Sequence, residues 1–152
     1  MRYFLIVLAL LVGGCATTAV KSAPQYRVAG VVDGVEVRVY QTRRDFLAGV
    51  PAHVAALQDA MKRVAPGTGT VGYYDWKTKV IHLASASAVM LVHEVKHHLE
   101  PNWYHGFTPT PEDQGWRQVG VNKIFILKSK EFPVRDGETI DSVIIRLKEF
   151  LK

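Results

Sequence analysis

The stretch Ser85-Ala86-Ser87-Ala88-Val89-Met90-Leu91-Val92-His93-Glu94-Val95-Lys96-His97-His98-Leu99-Glu100-Pro101 decides how the rest of the chain is read. Serines at its head can cap a helix, its body holds neither Pro nor Gly, and Pro101 stops it. The pattern predicts a helix over 85–100. At ~100° per residue, His93 and His97 lie ~40° apart around the axis and roughly 6 Å along it. Two imidazoles so placed can lean onto one zinc ion at ~2.0–2.1 Å each. Glu94 falls ~60° round from His97, so its carboxylate stands beside the ion rather than on it. From there it can take a proton from a water activated by the ion and pass it to a leaving amine. Ala88, Leu91, Val92, Val95 and Leu99 fall on the opposite arc, a core-facing stripe behind the histidines.

A catalytic zinc needs three protein ligands and one open position. Glu100 lies ~10 Å along the helix from His93, too far to share an ion, and His98 points ~100° away from His97. His105 is the first choice for the third ligand, because Pro101 ends the helix and the loop 102–106 can fold back under the metal. Glu112 or Asp113 is the alternative, and a site with no third ligand stays open.

The pentad His93-Glu94-Val95-Lys96-His97 resembles the active-site helix of the zincin superfamily of metallopeptidases, a likeness that covers Lys79 to His105 at most. It implies a zinc-dependent peptidase, with His93, His97 and His105 as ligands and Glu94 as general base and acid. In zincins the strand before this helix edges the cleft and pairs with an extended peptide substrate. Lys79-Val80-Ile81-His82-Leu83 stands in that place, with His82 read as a strand side chain. Tyr104, Tyr73 or Tyr74 could donate to the developing oxyanion. Glu100 and Trp103 occupy the positions where metzincins carry a glycine and a third histidine, which excludes that clan.

Working outward, Tyr26 to Val32 and Val35 to Gln41 are β-rich runs joined by Asp33-Gly34, a hairpin signal. Val50 to Val64 reads as a helix, with Val54, Leu57, Met61 and Val64 at helical spacing. A second hairpin pairs Thr70–Tyr74 with Lys79–Leu83. Beyond the loop-like 102–111, Val121 to Leu127 reads as a strand and Thr139 to Leu151 as an amphipathic helix. The fold class is therefore α+β: hairpins and a short antiparallel sheet packed on the central helix, with a C-terminal strand and helix. The organisation expected is a leader at 1–14, a tether at 15–25, a zincin-like domain at 26–120 and a strand–helix extension at 121–152. Val134 to Val143 faintly resembles the start of a small RNA-binding protein of the bacterial 30S ribosomal subunit, over too short a stretch to carry meaning.

The leader has a positive start at Arg2 and an apolar run from Tyr3 to Val12. That run is too short for a ~30 Å hydrocarbon core but suited to a signal peptide. Its end, Val12-Gly13-Gly14-Cys15, resembles the lipobox of bacterial lipoproteins, which implies a lipid on Cys15. With Ala16 rather than aspartate next, it favours the periplasmic side of an outer membrane.

The chain of 152 residues supports one domain and its core. A net charge of +5 from scattered Lys and Arg gives no nucleic-acid surface, and a single cysteine excludes an intrachain disulfide. Two classes of function remain, a zinc hydrolase acting on peptide or protein in the cell envelope, and a non-catalytic envelope lipoprotein whose metal is structural.

Overall fold

Asp33 and Gly34 both take positive φ, 49° and 77°, and so close the first hairpin. The computed structural model describes residues 22–64, 71–105, 110–112 and 114–152. The leader and its Cys15 lie outside these residues. Among those described, no helix is long and apolar enough to cross a membrane.

Strands β1 (Tyr26–Val32) and β2 (Val35–Tyr40) form the hairpin. Two helices follow, α1 (Arg43–Gly49) and α2 (Ala52–Val64). Thr42 starts α1 by accepting from the Asp45 N–H at 3.1 Å. Pro51 forces Val50 into extended backbone and so separates the two helices. Sequence periodicity reads only the second of them, because α1 is short and begins with three charged residues.

Strands β3 (Gly72–Asp75) and β4 (Val80–Leu83) then complete a sheet of order β1-β2-β4-β3. Two expectations are corrected here. The sheet is mixed, not antiparallel, since β2 and β4 run parallel. The chain reaches β4 through α1, α2 and β3, and because β3 runs antiparallel to β4 it carries the chain back to the end of the sheet where β2 began, as a parallel pair requires. Nor is β4 the edge: it is paired on both sides and all four of its residues are buried. The edge beside the central helix is β3 instead.

The central helix, α3 (Ala88–Leu99), is capped by Ser87, which accepts from the Met90 N–H at 3.3 Å. Leu91, Val92 and Val95 are fully buried against Val37 and Ile81 of the sheet. Strands β5 (Trp116–Val119), β6 (Asn122–Leu127) and β7 (Lys130–Val134) make a second, antiparallel sheet, and α4 (Ile140–Phe150) closes the chain. The β6–β7 turn has Lys128 and Ser129 at positive φ, which their residue types do not announce. Pro133 disguises β7, yet it sits on an edge strand, where a missing N–H is tolerated.

Phe125, Leu127, Phe132, Val143 and Leu147 share one core with Leu91 and Val95. Residues 121–152 are thus part of the body that carries α3, and the β5–β6 hairpin spans the boundary drawn at 120. Lys96 ties α3 to the second sheet: its Nζ donates to Glu100 Oε2 at 2.5 Å and to the Ile126 carbonyl at 2.6 Å.

Candidate metal centre

Helix α3 is buried on two sides for different reasons. Its apolar stripe enters the core, while His93 and Glu94 are covered by β3 and by the chain after Pro101. Glu100 caps the helix and accepts from the Trp103 N–H at 2.8 Å, a turn that sends the chain back. The result brings His93, His97 and His105 together, with one nitrogen from each inside 4.8 Å of the others. Ring centroids lie 5.0, 4.8 and 5.1 Å apart, nearly an equilateral triangle. The Nε2 atoms of His97 and His105 are 3.2 Å apart. Two nitrogens bound tetrahedrally to one zinc at ~2.05 Å would sit ~3.3 Å apart, so the donor set fits such an ion.

The remaining nitrogen of His93 has its own partner. Nδ1 donates to the Gln114 carbonyl at 2.9 Å, which leaves Nε2 as the lone pair facing the other two rings. Burial holds His93 below its ordinary range, and burial with the neighbouring His93, His105 and Lys96 pushes His97 down to about 4. These two imidazoles are therefore neutral at pH 7, the form that ligates. The indole of Trp103 packs on all three rings, at 5.3, 4.7 and 5.1 Å between centroids. Glu112 is not part of the cluster and lines a separate groove with Lys96 and Trp116. Asp113 lies outside the described residues.

Glu94 is almost wholly buried. Burial pushes its carboxyl up to about 8, and the backbone N–H of Tyr74, which donates to it, pulls the other way. It opens on a cleft of about 310 Å³ lined by Tyr73, Tyr74, Trp76, Glu94, His97 and Pro101. Tyr104 is a corrected expectation: it is 85% exposed and does not line this cleft, because the turn after Pro101 directs it to solvent. Tyr74 donates its hydroxyl to His98 Nδ1 at 2.9 Å, and His98 Nε2–H is held by Asp33 at 3.1 Å. That leaves Tyr73 as the cleft tyrosine whose hydroxyl is bonded to no described residue. His82 is a buried strand side chain, with Nδ1 2.7 Å from the Tyr40 hydroxyl.

Compared with family models, curated proteins and solved structures, the chain matches none. What the site can do rests on its own geometry.

Three contributors are not legible in the sequence. The Gln114 carbonyl is main chain and carries no side-chain signal. Trp103 reads as one aromatic among several in a loop. Gly72 falls inside the strand run Thr70–Tyr74, where a glycine does not announce which side chain packs against it.

Proposed function

We propose that the chain is a zinc-dependent hydrolase of zincin-like type, acting on peptide bonds in the cell envelope. The observation that carries this reading is a buried carboxylate, Glu94, lining an open cleft together with His97, one of three converging imidazoles. A purely structural metal site gains nothing from a carboxylate beside it that faces a cleft.

His93, His97 and His105 would hold the ion, which when bound supplies Lewis acidity and water of pKa near ~7. The positive charge of a bound ion would favour the ionised form of Glu94, offsetting the burial that raises it, and the carboxylate would then take the proton from the attacking water and deliver it to the leaving amine. The Tyr74 N–H orients the Glu94 carboxylate, and Tyr73 is placed to donate to charge developing on the carbonyl oxygen. The outer edge of β3 gives an extended peptide main-chain partners beside the cleft. In this reading the leader would carry the enzyme out of the cytoplasm and a lipid on Cys15 would tether it.

The test is Glu94→Gln. The variant binds one zinc per chain as wild type does, and no longer cleaves an unfolded protein substrate that wild type cuts. Cleavage at the wild-type rate by the zinc-loaded variant overturns the reading.

A further inference from the structure

Gly72 is the first residue of β3 and pairs with Leu83 of β4. It is buried, and its backbone lies outside the left-handed region, so its conformation does not require glycine. Its surroundings do. A Cβ there would stand 2.5 Å from Glu94 Oε1, 2.9 Å from Glu94 Cγ and 3.1 Å from Glu94 Cδ. All three nearest atoms belong to one side chain. Because Cγ is among them, swinging the carboxylate aside does not relieve the contact. Two residues on, the Tyr74 N–H holds the same carboxylate. The bare backbone of Gly72 and the donor at Tyr74 therefore enclose Glu94 from one strand.

We infer that Gly72 is a positioning residue, and that its missing side chain sets where the Glu94 carboxylate rests in the cleft it lines with His97. The inference deepens the hydrolase reading and rests on it for the word positioning, while the packing of Gly72 on Glu94 is testable without any activity. In an ordinary strand position, Gly→Ala at compatible backbone angles is neutral or stabilising. Here it must move Glu94, and displacing a reacting group by about 1 Å can cost ~100-fold in rate.

The experiment is a four-variant cycle of wild type, Gly72→Ala, Glu94→Ala and the double variant, read by thermal unfolding and zinc affinity. Gly72→Ala lowers the melting temperature of wild type by several degrees but leaves that of Glu94→Ala unchanged or raised, since the methyl then fills the vacated space. Zinc affinity stays within about threefold throughout, because no ligand moves. In the zinc-loaded enzyme Gly72→Ala lowers kcat by ~100-fold with KM nearly constant, as loss of a group acting only in the transition state requires. An equal loss of melting temperature in both backgrounds overturns the inference, and so does unchanged kcat. If Gly72→Ala alone does not fold, a folded double variant supports the packing, and an unfolded one overturns it. Absence of any Glu94-dependent cleavage by wild type sinks the hydrolase reading while leaving the thermal cycle standing.

Discussion

His93 Nδ1 donates to the carbonyl of Gln114 across 2.9 Å, so a main-chain atom twenty-one residues away chooses the tautomer of the first candidate ligand. The choice matters because only the other nitrogen can then face His97 and His105. The segment that supplies the carbonyl is held by its own turn, with Gln114 N–H donating to Thr110 and Trp116 N–H to Pro111, both at 3.0 Å. It passes over the indole of Trp103 at Gly115, whose φ is +80° and whose Cβ would stand 2.8 Å from that ring. The site is thus built from α3, the loop that follows it, and a turn leading into the second sheet.

This arrangement separates ligands from their supports. Alanine at His93, His97 or His105 should abolish tight zinc binding, whereas His98→Ala should retain it. Gly115→Ala should fall between, weakening zinc by roughly 10–100-fold, the usual cost of disturbing an outer partner of a ligating histidine. Calorimetric titration of the zinc-free protein measures all five. Thermal unfolding gives the same ranking: free zinc at ~100 times its dissociation constant stabilises by about 2.7 kcal/mol, or roughly 5–10 °C for a domain of this size. Zinc binding by His105→Ala as tight as wild type would remove the third ligand from the site.

The legible and illegible parts of the chain divide on physical grounds. The α3 helix, its cap and the Asp33-Gly34 hairpin are local, so residue type and spacing announce them. The reach of His105 was inferable from Pro101 ending the helix, since a chain stopped there must turn. The edge strand was not, because β3 gains that place only when a crossover of two helices inserts β4 beside β2. Strand β5 hides because it is mostly exposed, with no apolar alternation to mark it. Tyr104 and Tyr73 are equally plausible on paper, and only the turn direction after Pro101 separates them.

His82 makes the zinc-free protein sensitive to acid. It is buried, stacked on Tyr40 and hydrogen-bonded to its hydroxyl. Burial, then the adjacent Arg38, pushes it down to about 4, against smaller opposing pulls from Asp75 and Glu36. A histidine depressed on folding resists a proton that the unfolded chain accepts near pH 6.5. Its contribution is therefore full above pH 6.5 and lost as pH falls from there towards about 4. At ~1.4 kcal/mol per unit the loss approaches about 3 kcal/mol. Wild type and His82→Gln, both zinc-free, should be compared by urea unfolding at pH 7.5 and pH 4.5. The other histidines contribute equally to both proteins, so the variant should lose roughly 2–3 kcal/mol less between the two pH values. Equal losses would mean that His82 accepts a proton in the fold as readily as in the unfolded chain.

The candidate metal centre should also depend on residues far from it in sequence. Phe125 on β6 is fully buried in the core that takes Leu91, Val92 and Val95 of α3, and Lys96 is anchored to the carbonyl of Ile126 next to it. Phe125→Ala leaves a cavity directly behind the ligand helix and should cost about 3–5 kcal/mol. Urea unfolding would register this as a lower midpoint at unchanged slope. A chain ending at residue 120 loses Phe125, Leu127, Phe132, Val143 and Leu147 together, and with them the apolar cover of α3. It should show neither a cooperative unfolding transition nor stoichiometric zinc. A fragment 22–120 that unfolds cooperatively and binds zinc would instead make the second sheet and α4 dispensable, because α3 would then hold its two imidazoles in place from the first sheet alone.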